Sequence, residues 1–252
     1  MNRNSLFAAA LSLAVVAGAS LAWAAVPASL TAALADKGRP AADVSRDAAR
    51  HPAEMLAWAG VKPGDKVADF IMGGGYFTRI PSAEVGPKGH VWAYQPAEFV
   101  KFRAAYATEQ KAVADAYPNV TAISSPFSEL KLPDKLDLVM TVQNYHDLHL
   151  KAFPADNAAR MNAEIYRALK PGGVYLVVDH VGPSDAAADA PNKLHRIDPA
   201  QARKEIEAAG FKFAGESDLL KLPTDPHTAN VFDPSIRGKT DQFVFKFVKP
   251  RG

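Results

Sequence analysis

The sequence predicts a doubly wound α/β fold: a mostly parallel, seven-stranded sheet with helices on both faces and an antiparallel hairpin at one edge. Three observations lead there. Short apolar runs alternate with helical patterns along the chain. Leu136–Val142 is apolar almost without interruption, as in a strand buried on both faces. The last two β-rich segments follow each other with no helix between them.

The N-terminus reads as a targeting segment rather than as part of the fold. Arg3 gives a short positive start, Leu6 to Val16 is apolar, and Ala22-Trp23-Ala24 has the small-x-small form of a signal-peptidase site. The apolar part is shorter than the roughly 20 residues that span a membrane. Residues 1–24 are therefore expected to be a signal peptide cleaved after Ala24, residues 25–42 a leader, and residues 43–252 one α/β domain. The expected location is the periplasm, without a membrane anchor. There is no cysteine, which rules out a lipidated N-terminus, disulfides and thiolate chemistry. A net charge of +2, with no run of like charges, excludes a nucleic-acid partner by this reading.

Taken in order, residues 27–39 are an Ala-rich leader or short helix, and residues 41–60 have helical spacing with Pro52 starting or kinking the helix. Lys62-Pro63-Gly64 is a turn. Val67, Ala68, Phe70 and Ile71 make the first strand, which runs straight into Gly73, Gly74 and Gly75. A helix follows over residues 76–85, with Pro81 expected to distort it. Residues 90–95 alternate as a second strand, residues 97–117 form a long helix, and residues 120–125 a third strand. After the fourth strand, residues 155–169 are helical up to Lys170-Pro171-Gly172-Gly173, and residues 174–179 are the fifth strand. Asp198 and Pro199 are the N-cap and first position of a helix stopped by Gly210. Residues 211–220 and 242–248 are the closing strands.

In such a sheet, ligands bind outside the carboxyl ends of the strands, near the point where strand order reverses. Glycines let backbone approach a bound group, and the helix start behind them presents unpaired N–H groups. Asp69 sits at the end of the first strand. Strand two ends at Gln95, strand three leads to Phe127, strand four into Gln143-Asn144-Tyr145-His146-Asp147-Leu148-His149, and strand five ends at Asp179-His180. His146, Asp147 and His180 are acid–base candidates, because histidine titrates near neutrality and a nearby carboxylate orients it. His146 and Asp147 could instead cap the following helix. His146, His149, Asp147 and His180 could in principle hold a metal, but no HExxH-type pattern accompanies them and no metal is assigned.

The layout resembles that of the class I S-adenosylmethionine-dependent methyltransferases, which have a Rossmann-like fold. Asp69 followed by Gly73-Gly74-Gly75 is similar to that family's first motif. Leu136-Asp137-Leu138-Val139-Met140 resembles its fourth-strand motif, and Leu169-Lys170-Pro171-Gly172-Gly173-Val174 the turn into its fifth strand. The resemblance implies S-adenosylmethionine as cofactor, with Asp69, Gly73, Gly74 and Gly75 lining its amino-acid part, Gln95 at the ribose and Phe127 near the adenine. It departs from the family at Ile71, where a further glycine is usual, and at Gln95, where an acidic residue usually takes the ribose hydroxyls. The reading that follows is an exported enzyme transferring a methyl group to a small-molecule acceptor. The alternative is a non-catalytic periplasmic binding or accessory protein that kept the fold and lost the cofactor.

Overall fold

The computed structural model describes residues 25–185 and 189–252; the expected signal peptide lies outside the described residues. The elements are α1 (Ala28–Leu34), α2 (Ala41–Val44), α3 (Asp47–Arg50), α4 (Pro52–Ala59), β1 (Lys66–Phe70), α5 (Tyr76–Val85), β2 (His90–Pro96), α6 (Ala97–Phe102), α7 (Ala105–Ala116), β3 (Val120–Ser125), β4 (Leu136–Val142), α8 (Asn157–Ala168), β5 (Leu169–His180), α9 (Ala190–Leu194), α10 (Pro199–Ala208), β6 (Lys212–Ser217) and β7 (Gln242–Val248).

The strands form one seven-stranded sheet in the order β3-β2-β1-β4-β5-β7-β6. Pairing is parallel from β3 through β5, and β7 runs antiparallel to both β5 and β6. The chain winds outward from β1 to β3 and then returns to β4 on the other side of β1. Strand order therefore reverses between β1 and β4, and a crevice opens at their carboxyl ends.

Both faces of the sheet are covered. One core holds Phe70, Tyr94, Tyr145, Ile165, Tyr175 and Phe247, beneath α8 and α10. The other holds Leu30, Leu56, Val67, Ile80, Val113 and Leu176, beneath α1, α4, α5 and α7. The period-2 strand pattern explains the division: neighbours in β1 such as Val67 and Ala68 point to opposite faces, and each finds an apolar layer. The leader is part of this body, since α1 packs on α4 and α5 with Leu30 fully buried.

Several helices are shorter than the spacing predicts. Residues 41–60 fold as α2, α3 and α4, because Pro52 starts a new helix and His51 before it takes a left-handed φ of 45°. The long pattern after β2 breaks at Arg103, whose backbone is extended, into α6 and α7. Pro81, expected to distort α5, sits inside a helix that runs unbroken from Tyr76 to Val85. β5 begins at Leu169, ahead of the Gly172-Gly173 turn, with a register shift against β4 between Leu136 and Leu138.

A buried ion pair holds the C-terminal loops to the sheet. Arg196 and Asp225 are both fully buried and make two bonds of 2.8 and 3.0 Å. Asp225 also accepts the N–H groups of His227 and Asp241. Removing one member of such a pair strands a buried charge, which costs about 3–5 kcal/mol. Asp225→Ala is accordingly expected to lower unfolding free energy by about that amount in urea titration; a loss below about 1 kcal/mol would show that the pair carries little.

Candidate active site

A cavity of about 570 Å³ opens at the carboxyl ends of β1, β4 and β5, a size typical of small-ligand sites. Gly73 and Gly74 line it, as do His146, Asp147 and His180. Arg46 and Arg50 come from the N-terminal helices, while Phe102 and Phe232, exposed by 70% and 56%, stand at the rim.

The glycine wall is set by backbone geometry. Ile71 holds a left-handed φ of 66°, a conformation that favours glycine. For a β-branched residue this costs about 1–2 kcal/mol. Its carbonyl accepts from Asn144 Nδ2 at 3.1 Å, and the same amide donates to Val142 O at 2.7 Å, so the loop after β4 fixes the strained turn. Gly75 (φ 81°) caps α5, and a Cβ there would come within 2.6 Å of Val113 Cγ2. That glycine is required by packing against α7.

Asp69 points into this region from β1. Burial pushes its carboxyl up to about 6, against the pull of the Thr78 hydroxyl, which donates to it at 2.6 Å, and the charge of Arg50. The Arg50 guanidinium lies over the Tyr76 and Phe77 rings and donates to Gln143 Oε1. Burial drops its pKa to about 10, so it remains charged at neutral pH.

The polar wall is organised by Asp179 at the end of β5, which is fully buried. It accepts from the backbone N–H of His146 at 2.6 Å, from His146 Nδ1 at 2.8 Å and from its neighbour's N–H, that of His180, at 2.7 Å. Burial opposes the charge on His146, but Asp179 and Asp147 outweigh it and raise the ring's pKa to about 9. His146 is thus a charged donor at neutral pH. Asp147, with Oδ1 3.3 Å from His146 Nε2, is pushed up to about 6 by burial. His180 is held down to about 4, mainly by burial, and its Nδ1 shares a 2.8 Å hydrogen bond with the Thr240 hydroxyl.

Of the residues singled out from the sequence, Asp69, Gly73, Gly74, His146, Asp147 and His180 line the one cavity. Gly75, Gln95 and Phe127 do not. Gly75 is turned toward α7. Gln95 is fully buried beneath the turn, where Oε1 accepts the Gly73 N–H at 2.9 Å and Nε2 is without a hydrogen-bond partner. Phe127 is packed among Phe70, Tyr94, Phe99 and Phe153. Glu98 is engaged away from the cavity, accepting the Phe127 N–H. His149 turns away and pairs with Glu205 at 3.0 Å.

The structure adds residues that sequence reasoning missed. Arg50 is one, and His195 is another, with Nδ1 4.0 Å from Asp147 Oδ1 and its ring edge-to-face with His146; Asn144 was named only as part of the stretch after strand four, without its contact to the Ile71 carbonyl. None belongs to a local motif. The one signal available was the placement of Asn144 directly after a buried strand.

Residues 69–177 match the family described as a methyltransferase domain. That stretch is 109 of the chain's 252 residues. It runs from Asp69 through most of β5, so it includes the glycine turn, His146 and Asp147, whereas Arg50, His180 and His195 lie outside it. A SAM-dependent methyltransferase from Aquifex aeolicus superposes with a TM-score of 0.57 at 21% identity, over 79% of this chain and 89% of that one. An arsenic(III) S-adenosylmethionine methyltransferase from Chlamydomonas reinhardtii gives 0.52 at 18% identity, over 89% and 74%. A protein named as a 4+2 cyclase gives 0.56 at 17% identity, over 86% and 85%. These likenesses establish the methyltransferase-type Rossmann-like fold, and a fold leaves the reaction to its site. No curated protein matches the sequence significantly.

Asp69 makes a pH-dependent contribution that can be measured. In the unfolded chain it ionises near 3.8, in the folded domain near 6, so folding loses stability as pH rises across that interval and nothing further above it. Two pKa units correspond to about 3 kcal/mol. Relative to the parent, Asp69→Asn is therefore expected to gain about that much between pH 4 and pH 7 in chemical denaturation. A difference that does not vary with pH would contradict the burial of an ionisable carboxyl here.

Proposed function

We propose that the chain is an exported, periplasmic methyltransferase that uses S-adenosylmethionine and acts on a small-molecule acceptor. One observation carries the reading: a single cavity is lined both by the glycine turn within the stretch that matches a methyltransferase domain and by the ionisable side chains of His146, Asp147 and His180. The volume is sufficient for a cofactor and part of an acceptor. Among the described residues no helix is long and apolar enough to cross a membrane, which is compatible with a protein released after export.

The residues present fit the cofactor in kind. At Gly73 a Cβ would meet nothing within 4 Å, so the turn is open where a ligand would lie against backbone. Asp69 would hold the cofactor's ammonium group, and Arg50, which here bonds only to a neutral amide in the cavity, would meet its carboxylate. When bound, the cofactor supplies a methyl group on a positively charged sulfur; the chain's own part is mainly positioning. His180, neutral at pH 7, and Asp147, ionised there, are the groups able to take a proton from an acceptor hydroxyl or amine. His146, held charged, orients Asp147 rather than accepting a proton.

Gln95 supports a second reading. Its oxygen is committed to Gly73, and it brings no negative charge to the ribose position, which suits a binding or accessory protein that does not turn over. Calorimetry on residues 25–252 separates the two. S-adenosylhomocysteine is expected to bind in the micromolar range, at least tenfold more weakly to Asp69→Ala, and unchanged to His180→Ala. Absence of binding at millimolar ligand would overturn the enzyme reading and leave the second.

A further inference from the structure

We propose that His146, Asp147 and His195 form a binding site for a first-row divalent transition-metal ion of the zinc type, open toward the cavity. His146 Nε2 lies 3.3 Å and His195 Nδ1 4.0 Å from the same Asp147 oxygen, Oδ1, and one ligand atom from each residue falls within 4.8 Å of the others. Ligand atoms about 2.0–2.2 Å from a zinc ion stand about 3–3.5 Å apart. Closing the set requires the His195 ring, whose side chain is 29% exposed, to move by about 1–1.5 Å.

Three further observations support a built site over a chance cluster. Asp179 accepts from His146 Nδ1 at 2.8 Å, which leaves Nε2 facing Asp147; on binding, the ion would take the place of the proton that Nε2 carries at neutral pH and release it to solvent. A carboxylate behind a ligating imidazole is the arrangement that fixes the ring's tautomer and orientation in metal centres. That carboxylate is anchored in β5 and fully buried, so the first ligand is held from a strand inside the central sheet. His195, finally, closes α9 with a left-handed φ of 53°, and strain of this kind at a non-glycine residue collects at functional sites.

The donor set selects the ion. Two imidazoles and one carboxylate suit zinc, iron, cobalt or nickel better than magnesium or calcium, which prefer all-oxygen sites. Three protein ligands with open positions is the pattern of a catalytic rather than a structural ion. Those positions face the cavity, where an acceptor's oxygen or nitrogen could join the ion and be held opposite the glycine turn. This last role rests on the methyl-transfer reading; the binding of the ion does not.

The test uses residues 25–252 prepared without a histidine tag and without cofactor, titrated with Co²⁺ by visible absorption and with Zn²⁺ in competition. One equivalent of Co²⁺ is expected to bind with a d–d absorption band that Zn²⁺ abolishes. Asp147→Asn and His195→Ala, each with an unfolding temperature near the parent's, should weaken binding at least tenfold, and His51→Ala should leave it unchanged. No band at millimolar Co²⁺, or a band that survives both substitutions, would overturn the site. Because no cofactor is present, failure here leaves the methyltransferase reading standing, and failure of S-adenosylhomocysteine to bind leaves the metal result standing.

Discussion

The candidate site depends on one buried carboxylate. Asp179 ends β5 with no exposure to solvent, a position where a charge must be compensated by donors or lost. It is compensated by two backbone N–H groups and the His146 ring, all from segments at the carboxyl ends of β4 and β5. This requirement folds the loop after β4 down onto β5, turning His146 and Asp147 into the crevice at the reversal of strand order. The same loop carries Asn144, whose amide holds the Ile71 carbonyl and thereby the strained turn after β1. The two walls of the cavity are thus one connected structure, joined across β4.

Electrostatics then divides the labour among groups of similar type. His146 and His180 stand with ring centroids 6.3 Å apart, and burial opposes the charge on both, yet His146 is left charged and His180 neutral at pH 7, because two carboxylates act on His146 and only Asp179 on His180. Asp69 and Asp147, which both line the cavity, are raised by burial. Pairs of titrating groups pushed apart in this way are a mark of functional sites, and here they coincide with the strand ends at which the fold places its ligands. The match to a methyltransferase domain over residues 69–177 adds an independent reason to place the chemistry there.

Much of this was legible in the sequence because local patterns carried it. Apolar runs such as Leu136–Val142 marked strands that are buried on both faces, and the absence of a helix before Gln242 marked the antiparallel edge. The turn after β1 was visible from Gly73 to Gly75, and the polar strand ends from Asp69, His146 and His180. What was hidden depends on contacts far apart in sequence. The resemblance put Gln95 at the ribose, but nothing local shows that its side chain would fold under the turn to accept the Gly73 N–H. Arg50 is held in the cavity by the Tyr76 and Phe77 rings and by Gln143, which lies 93 residues away in sequence, and His195 is itself the left-handed residue that ends α9. Phe127 was expected at the cavity and instead completes an aromatic cluster, since Phe70, Tyr94 and Phe153 offer it more apolar contact than an open crevice does.

The central claim is that the crevice between β1 and β4 receives the methyl-donor cofactor along the glycine turn. A crystal structure grown with millimolar S-adenosylhomocysteine tests it most directly. The account predicts density lying against Gly73 and Gly74, with the amino-acid end toward Asp69 and Arg50 and the sulfur facing the wall of His146 and His180. Density elsewhere on the molecule, or an empty crevice at that concentration, would contradict it.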